Sequence, residues 1–302
     1  MTNIKIALDW TPNINHIGFF VAQQKGFFQD RGLDVELLDP SSDNYQTTPA
    51  KKVELGMAHL ALCPLESVIS YRSKAKAFDL IALAAILQED LSAIVVPKSD
   101  TVQSPKDLDG KSYASYKARY EDEIVRQMIR NDGGRGDIRI EYPAKLGIWN
   151  TIVNASCDAT WIFLNWEGVE AAESHLDLCY FKMSNYGIPY SYSPVIAAQE
   201  QAVNQQADAY RKVLEATRQG YLYSQEHPEE ATAILAPFVP QNDQNIDLTK
   251  ALAACTNSFG TADGWGRMDR DNVAAFLHWL RDKQLETHPL TVQDLVSPLW
   301  KG

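Results

Sequence analysis

The chain has few cysteines. The four among its 302 residues, Cys63, Cys157, Cys179 and Cys255, lie far apart, with no Cys-x-x-Cys spacing and no His beside them. That argues against a zinc site and leaves them as reduced, buried small hydrophobes. No apolar run approaches the ~18 residues that a membrane span needs. Positive charge is also short, with 28 Lys and Arg against 39 Asp and Glu, a formal net charge of −11. No basic cluster exists to track a phosphate backbone, so nucleic acid is not an expected partner. The acidic excess is spread along the chain and reads as a solubilising surface. The six His are scattered, and there is no Ser/His/Asp ordering, Gly-x-Ser-x-Gly or His-Glu-x-x-His. Hydrolase and metalloprotease chemistry therefore has no support, no catalytic or metal-binding residue can be named, and the balance leans away from an enzyme. The opening "MTNIKIALDW" has no basic segment followed by an apolar one, so the chain as it stands shows no secretory leader. It is expected in the cytoplasm if Met1 is the native start, and in the periplasm or on a lipid anchor if a leader was removed.

What is present is an α/β pattern too long for one core. Single cores stop growing at about 250 to 300 residues, so 302 residues imply two lobes, and 45% hydrophobic with 22% charged residues is an ordinary globular composition. "IKIALDW" alternates like a strand, "HIGFFVAQQKGFF" has helical spacing, and "GLDVELLD" is a second strand. This βαβ unit predicts a parallel sheet whose carboxyl edge carries the loop after the first strand, the edge where open α/β sheets bind ligands. Further strands are predicted at "MAHLALCPL", "FDLIALAAIL", "SAIVVPKSD", "DIRIEYP", "CDATWIFLNW" and "LDLCYFKM", and helices at "ESVISYRSKA", "YEDEIVRQMIRNDGG" and "GIWNTIVNAS". Amphipathic helices dominate after about residue 200. The expected architecture is α/β, two-lobed, a type II periplasmic-binding-protein-like fold in which each lobe is a mixed sheet flanked by helices. Lobe 1 is discontinuous, residues 1–90 and 193–302, and residues 91–192 form an inserted lobe 2. Two crossings, near residues 88–92 and 187–194, make the hinge of a ligand cleft.

Several side chains are placed to face that cleft. In "ALDWTPNINH", Trp10 offers a stacking surface and Asn13 an amide that pairs with donor and acceptor edges alike, with His16 on the same turn. Such a set suits a planar heteroaromatic ligand; Trp10 as a core plug and Asn13 as a turn former are equally open on position alone. "NYGIPYSYSP" brings Tyr186, Tyr190 and Tyr192 to the second crossing, one at least of them packing beneath the hinge. "DATWIFLNWEG" supplies Trp161 as a second wall, with Asn165 nearby and Trp166 balanced between cleft and core. Ser115 and Tyr116 precede a helix whose start can hold an anion or simply face solvent. Glu66 opens the helix after "ALCPL", either as a partner for a ring amidine or exocyclic amine or as ordinary acid in a first helical turn.

These segments resemble a known family. "IALDWTPNINHIGFFVAQQKGFFQDRGLDVELLDP", "SPKDLDGKSYA" and "CYFKMSNYGIPYSYSPVIA" are similar to the opening, the second-lobe entry and the hinge of the thiamine-pyrimidine precursor binding proteins and the hydroxymethylpyrimidine phosphate synthases. The similarity runs over about the first two thirds of the chain. It implies a solute-binding protein that takes an aminopyrimidine between Trp10 and the Tyr186/Trp161 side, has no cofactor, and is served, if exported, by the permease of an ABC transporter. Trp10, Asn13, His16 and Tyr186 match the family's motifs. The carboxylate that follows the "YG.P" Pro in the binding proteins is replaced here by the run Tyr190, Ser191, Tyr192, Ser193. The alternative implied by the same resemblance is a cytoplasmic synthase-like enzyme using pyridoxal phosphate. Its Lys, His and cysteine-rich tract find no counterparts in the stretch Leu62, Cys63, Pro64, Leu65, Glu66 or elsewhere.

Overall fold

A computed structural model describes residues 1–300. The first segment begins with strand β1 (Thr2–Ala7), helix α1 (Ile17–Gln24), β2 (Leu33–Leu38) and α2 (Pro49–Glu54). It continues with β3 (Leu60–Cys63), α3 (Leu65–Ser73) and β4 (Leu80–Ala85). The chain then crosses to a second sheet through β5 (Ser92–Pro97), β6 (Ser112–Ala114), α4 (Glu121–Asn131), β7 (Arg139–Glu141), α5 (Ile148–Val153), β8 (Ala159–Phe163), α6 (Glu167–Glu173) and β9 (Leu178–Phe181). It returns as β10 (Val195–Gln199) and ends in α7 (Glu200–Gln205), α8 (Ala207–Glu226), α9 (Pro228–Leu235), α10 (Leu248–Cys255), α11 (Arg270–Asp282) and α12 (Val292–Leu295).

The two five-stranded sheets run β2-β1-β3-β10-β4 and β7-β6-β8-β5-β9. The expected parallel βαβ pairing is present, with β1 parallel to both β2 and β3. The sheet as a whole is not parallel, however: β10 runs against β3 and β4, and β5 runs against β8 and β9. The physical reason is the crossing itself. Each antiparallel strand is the one that enters its sheet from the other lobe, at the fourth position, so it arrives from the carboxyl edge and must point the opposite way. The two crossing segments meet where the Ile86 amide donates to the Pro194 carbonyl at 3.1 Å.

The central strand "LALC" and the edge strand "LIALAA" are both buried along their length, because helices cover both faces of the sheet. The first turn is held in place by α8. Gly220 packs so tightly on α1 that a Cβ there would lie 1.9 Å from the Gly18 carbonyl oxygen, so only glycine permits this helix crossing. The Tyr221 hydroxyl, next in line, donates to the Asn15 carbonyl. All four cysteines are free thiols, three of them buried.

Candidate functional site

The carboxyl ends of β1 and β3 in one lobe face those of β6 and β8 in the other, and between them lies a cavity of about 470 Å³. That is the size of a small-molecule site. Trp10, Tyr45 and Tyr71 line it from the first lobe, and Tyr116, Trp161 and Trp166 from the second, with Tyr190 at the returning crossing. The rings fall into two contacting groups. Trp10 meets Tyr45 at 5.7 Å and, across the cleft, Tyr116 edge-on at 5.6 Å; Trp161 meets Tyr190 edge-on at 5.0 Å. Edge-to-face rings leave faces open for a flat ligand.

The segment after β1 owes its shape to a reciprocal set of hydrogen bonds. Asn13 Oδ1 accepts from the Asn15 amide (2.9 Å), while the Asn13 amide donates to His16 Nδ1 (3.2 Å). Since Nδ1 accepts, Nε2 carries the proton and donates to Asp9 Oδ1 at 2.7 Å. This is a capping arrangement at the entry to α1, and it presents Trp10 and Asp9 to the cleft.

Four acids line the cavity, Asp9, Glu66, Glu121 and Glu167. Glu121 is buried and fully occupied: its Oε1 accepts from the Tyr113 hydroxyl (2.8 Å) and the Tyr116 amide (3.0 Å), and its Oε2 from the Ala118 amide (3.1 Å). Burial raises its pKa against the pull of those donors. Glu167 accepts from the Phe163 amide (3.0 Å), and burial pushes it up to about 7. Glu66 differs. It is 4% exposed, its Oε2 has no hydrogen-bond partner, and burial, followed by the charge of Glu121, pushes it up to about 8. Both causes disfavour its ionised form.

Lys117, Arg119 and Lys145 line the cleft from the second lobe. Arg119 reaches back to the first lobe, donating to Ser73 Oγ at 2.6 Å and lying 3.3 Å from Glu286, whose carboxylate also accepts from the Tyr120 hydroxyl at 2.7 Å. Lys145 lies over the Tyr45 ring at 4.8 Å, and burial lowers its pKa. These contacts, with Trp10 against Tyr116, hold the lobes closed on each other.

Six of the ten residues singled out from the sequence line the cavity: Trp10, Asn13, Glu66, Tyr116, Trp161 and Tyr190. The other four stand off it. His16 is wholly buried and bonded to Asp9 and Asn13, so its role is to shape the loop. Ser115 is buried, donating to Asp122 Oδ1 and accepting from the Lys117 amide. Asn165 is buried where its Nδ2 donates to Asn15 Oδ1 across the lobes at 2.7 Å. Tyr186 packs edge-on against Phe181 at 6.3 Å and offers only its carbonyl, to Asn131. Of the remaining tyrosines, Tyr192 is buried beneath the crossing and accepts from the Asp269 amide. Among the lining residues that were not foreseen are Asp9, Tyr45, Thr48, Tyr71, Glu121 and Lys145. Only Thr48 carried a signal, as an N-cap before the Pro that opens α2.

A model described as NMT1/THI5 like matches residues 13–231. A formylaminopyrimidine-binding protein from Halalkalibacterium halodurans is 24% identical over 306 residues, covering 99% of this chain and 91% of its own length. A 4-amino-5-hydroxymethyl-2-methylpyrimidine phosphate synthase from Legionella pneumophila is 22% identical over 257 residues, 80% of this chain and 75% of its own. Among solved structures, a Candida albicans gene product with the generic periplasmic binding protein fold superposes with a TM-score of 0.73 at 16% identity, over 98% of this chain and 96% of that one.

Proposed function

The chain belongs to the NMT1/THI5-like family, and from that premise we propose that it is a solute-binding protein that closes its two lobes on a small planar heteroaromatic, an aminopyrimidine related to thiamine precursors. The observation that carries this reading is the set of rings contributed by both lobes, Trp10 and Tyr45 facing Tyr116 and Trp161 around a cavity of about 470 Å³. A hinge-closing binder needs stacking surfaces that meet only when the lobes close, and Trp10 against Tyr116 is such a pair. The formylaminopyrimidine-binding relative, aligned over almost the whole chain, supports the ligand class. If the protein is exported, its partner is the permease of an ABC importer.

The synthase alternative is weaker at a specific place. Where the resemblance implies a pyridoxal-phosphate-bearing Lys after β3, the stretch Pro64, Leu65, Glu66 offers none, and the two lysines that do line the cleft, Lys117 and Lys145, come from the other lobe. The residues present do not fit that group, and no step through pyridoxal phosphate follows from them. The test is titration of 4-amino-5-hydroxymethyl-2-methylpyrimidine and of its formylamino analogue, followed by intrinsic Trp fluorescence. Saturable quenching by either supports the proposal. A flat titration with both, or conversion of the ligand on incubation, overturns it.

A further inference from the structure

We infer that Glu66 is the group that reads the ligand's hydrogen-bonding edge, and that it does so as a neutral carboxylic acid paired with an amidine: the carbonyl oxygen accepts an exocyclic N–H while the hydroxyl donates to the adjacent ring nitrogen. This rests on the reading of the cleft as an aminopyrimidine site and sharpens it.

Three observations converge. Glu66 lines the cavity, is 4% exposed, and has an oxygen, Oε2, that meets no partner. Buried polar atoms are nearly always satisfied, so an orphan atom on a residue that lines a cavity points to a ligand atom as the partner that completes its bonding. Its position is set by backbone alone. Pro64 caps α3 in extended conformation, the Leu65 amide is held by the Tyr192 carbonyl at 3.0 Å, and Glu66 follows in the first turn. The surroundings also disfavour an anion. Glu121 approaches from α4, Cys63 from β3 and Tyr190 from the returning crossing, and each is itself kept protonated or destabilised as an anion by burial. Of the cations that line the cleft, Arg119 directs its guanidinium to Glu286 and Ser73, and Lys117 and Lys145 lie over the Tyr142 and Tyr45 rings. A neutral acid offers one donor and one acceptor side by side, and the matching edge is a ring nitrogen next to an exocyclic amine.

The test separates this pairing both from a carboxylate salt bridge and from the reading beneath it. Binding of 4-amino-5-hydroxymethyl-2-methylpyrimidine and of its analogue lacking the 4-amino group would be measured by calorimetry on the intact protein, Glu66→Gln and Glu66→Leu, with thermal melts to verify folding. An amide keeps one donor and one acceptor, so Glu66→Gln is expected within about threefold of the parent protein, whereas Glu66→Leu loses about thirtyfold or more. Removing the amino group should weaken binding to the parent by about tenfold and leave binding to Glu66→Leu unchanged. A Glu66→Gln variant as weak as Glu66→Leu would overturn the neutral pairing in favour of a carboxylate. If the aminopyrimidine binds the parent and Glu66→Leu equally, the assignment of Glu66 falls while the binding reading stands. If neither pyrimidine binds the parent, both fall.

Discussion

The two walls of the cleft treat their buried carboxyl groups in opposite ways. On the second lobe, Glu121 accepts from the Tyr113 hydroxyl and from the amides of Tyr116 and Ala118, and thereby folds the loop that presents Tyr116. On the first lobe, Glu66 reaches the same cavity with an oxygen that has no partner. Both acids are pushed up by burial, yet only one has its bonding finished within the chain. A buried acid with all its acceptors filled is structure; one left open toward a cavity is poised for something from outside.

The sharpest way to break that contrast is Glu121→Leu. It strands one hydroxyl and two amides, so unfolding free energy in urea should drop by about 3 to 5 kcal/mol, with binding lost as the Tyr116 loop comes apart. A loss below about 1 kcal/mol would mean that Glu121 is no more structural than Glu66.

Glu66→Gln should do the reverse. Its folded pKa of about 8 lies above the ordinary 4.5, so the native state holds this proton more tightly than the unfolded chain. The stability it confers is complete below about pH 4.5 and is lost progressively as pH climbs to about 8. Replacing it with an amide removes that loss, and the variant should exceed the parent protein by about 2 to 4 kcal/mol at pH 9 while matching it near pH 4.5. Asp90 and Glu167, also raised by burial, titrate in both proteins and cancel in the difference. Equal stability at both pH values would mean that Glu66 is already ionised and solvated in the native state.

Trp10→Ala acts on the aromatic part of the first wall. It should weaken ligand binding by about 1 to 3 kcal/mol by calorimetry, as loss of a stacking surface does, with little change in the melting temperature because the indole is only half-buried. Unchanged affinity would place the ligand away from β1.

How much of this was legible beforehand differs between the walls in the same way. The fold was readable because much of it is written in local pattern: "IKIALDW" and "GLDVELLD" alternate as strands do, and "LIALAAIL" is the short continuous apolar run of a strand buried on both faces. Trp10, Glu66 and Trp161 were readable because one follows the first strand, one begins a helix and one lies in a strand of the second sheet, all near the edge where such sheets bind ligands. His16, Ser115 and Asn165 looked equally polar and equally well placed, but their side chains turn inward to satisfy Asp9, Asp122 and Asn15, and nothing in local sequence fixes which way a polar side chain turns. Tyr45 and Lys145 were invisible for the opposite reason. Each sits in an irregular polar segment without periodicity, and Tyr45 reaches the cleft only because the backbone takes a left-handed conformation at Asn44 and Tyr45, which neither residue type announces.

The smallest effect belongs to the contact that joins the walls. Asn165 Nδ2 donates to Asn15 Oδ1 at 2.7 Å in a buried position between the lobes, but the other atom of the same amide, Oδ1, has no partner. The gain from one hydrogen bond is thus largely offset by the desolvation of its neighbour, and Asn165→Ala should change unfolding free energy by about 1 kcal/mol or less. Its effect on closure should be easier to see. With the bridge gone, the closed state keeps Trp10 against Tyr116 and Arg119 against Ser73 and Glu286, so ligand release should speed up about two- to fivefold in stopped-flow fluorescence while the rate of binding stays the same. A slower binding rate with unchanged release would instead make Asn165 part of the open cleft that the ligand first meets.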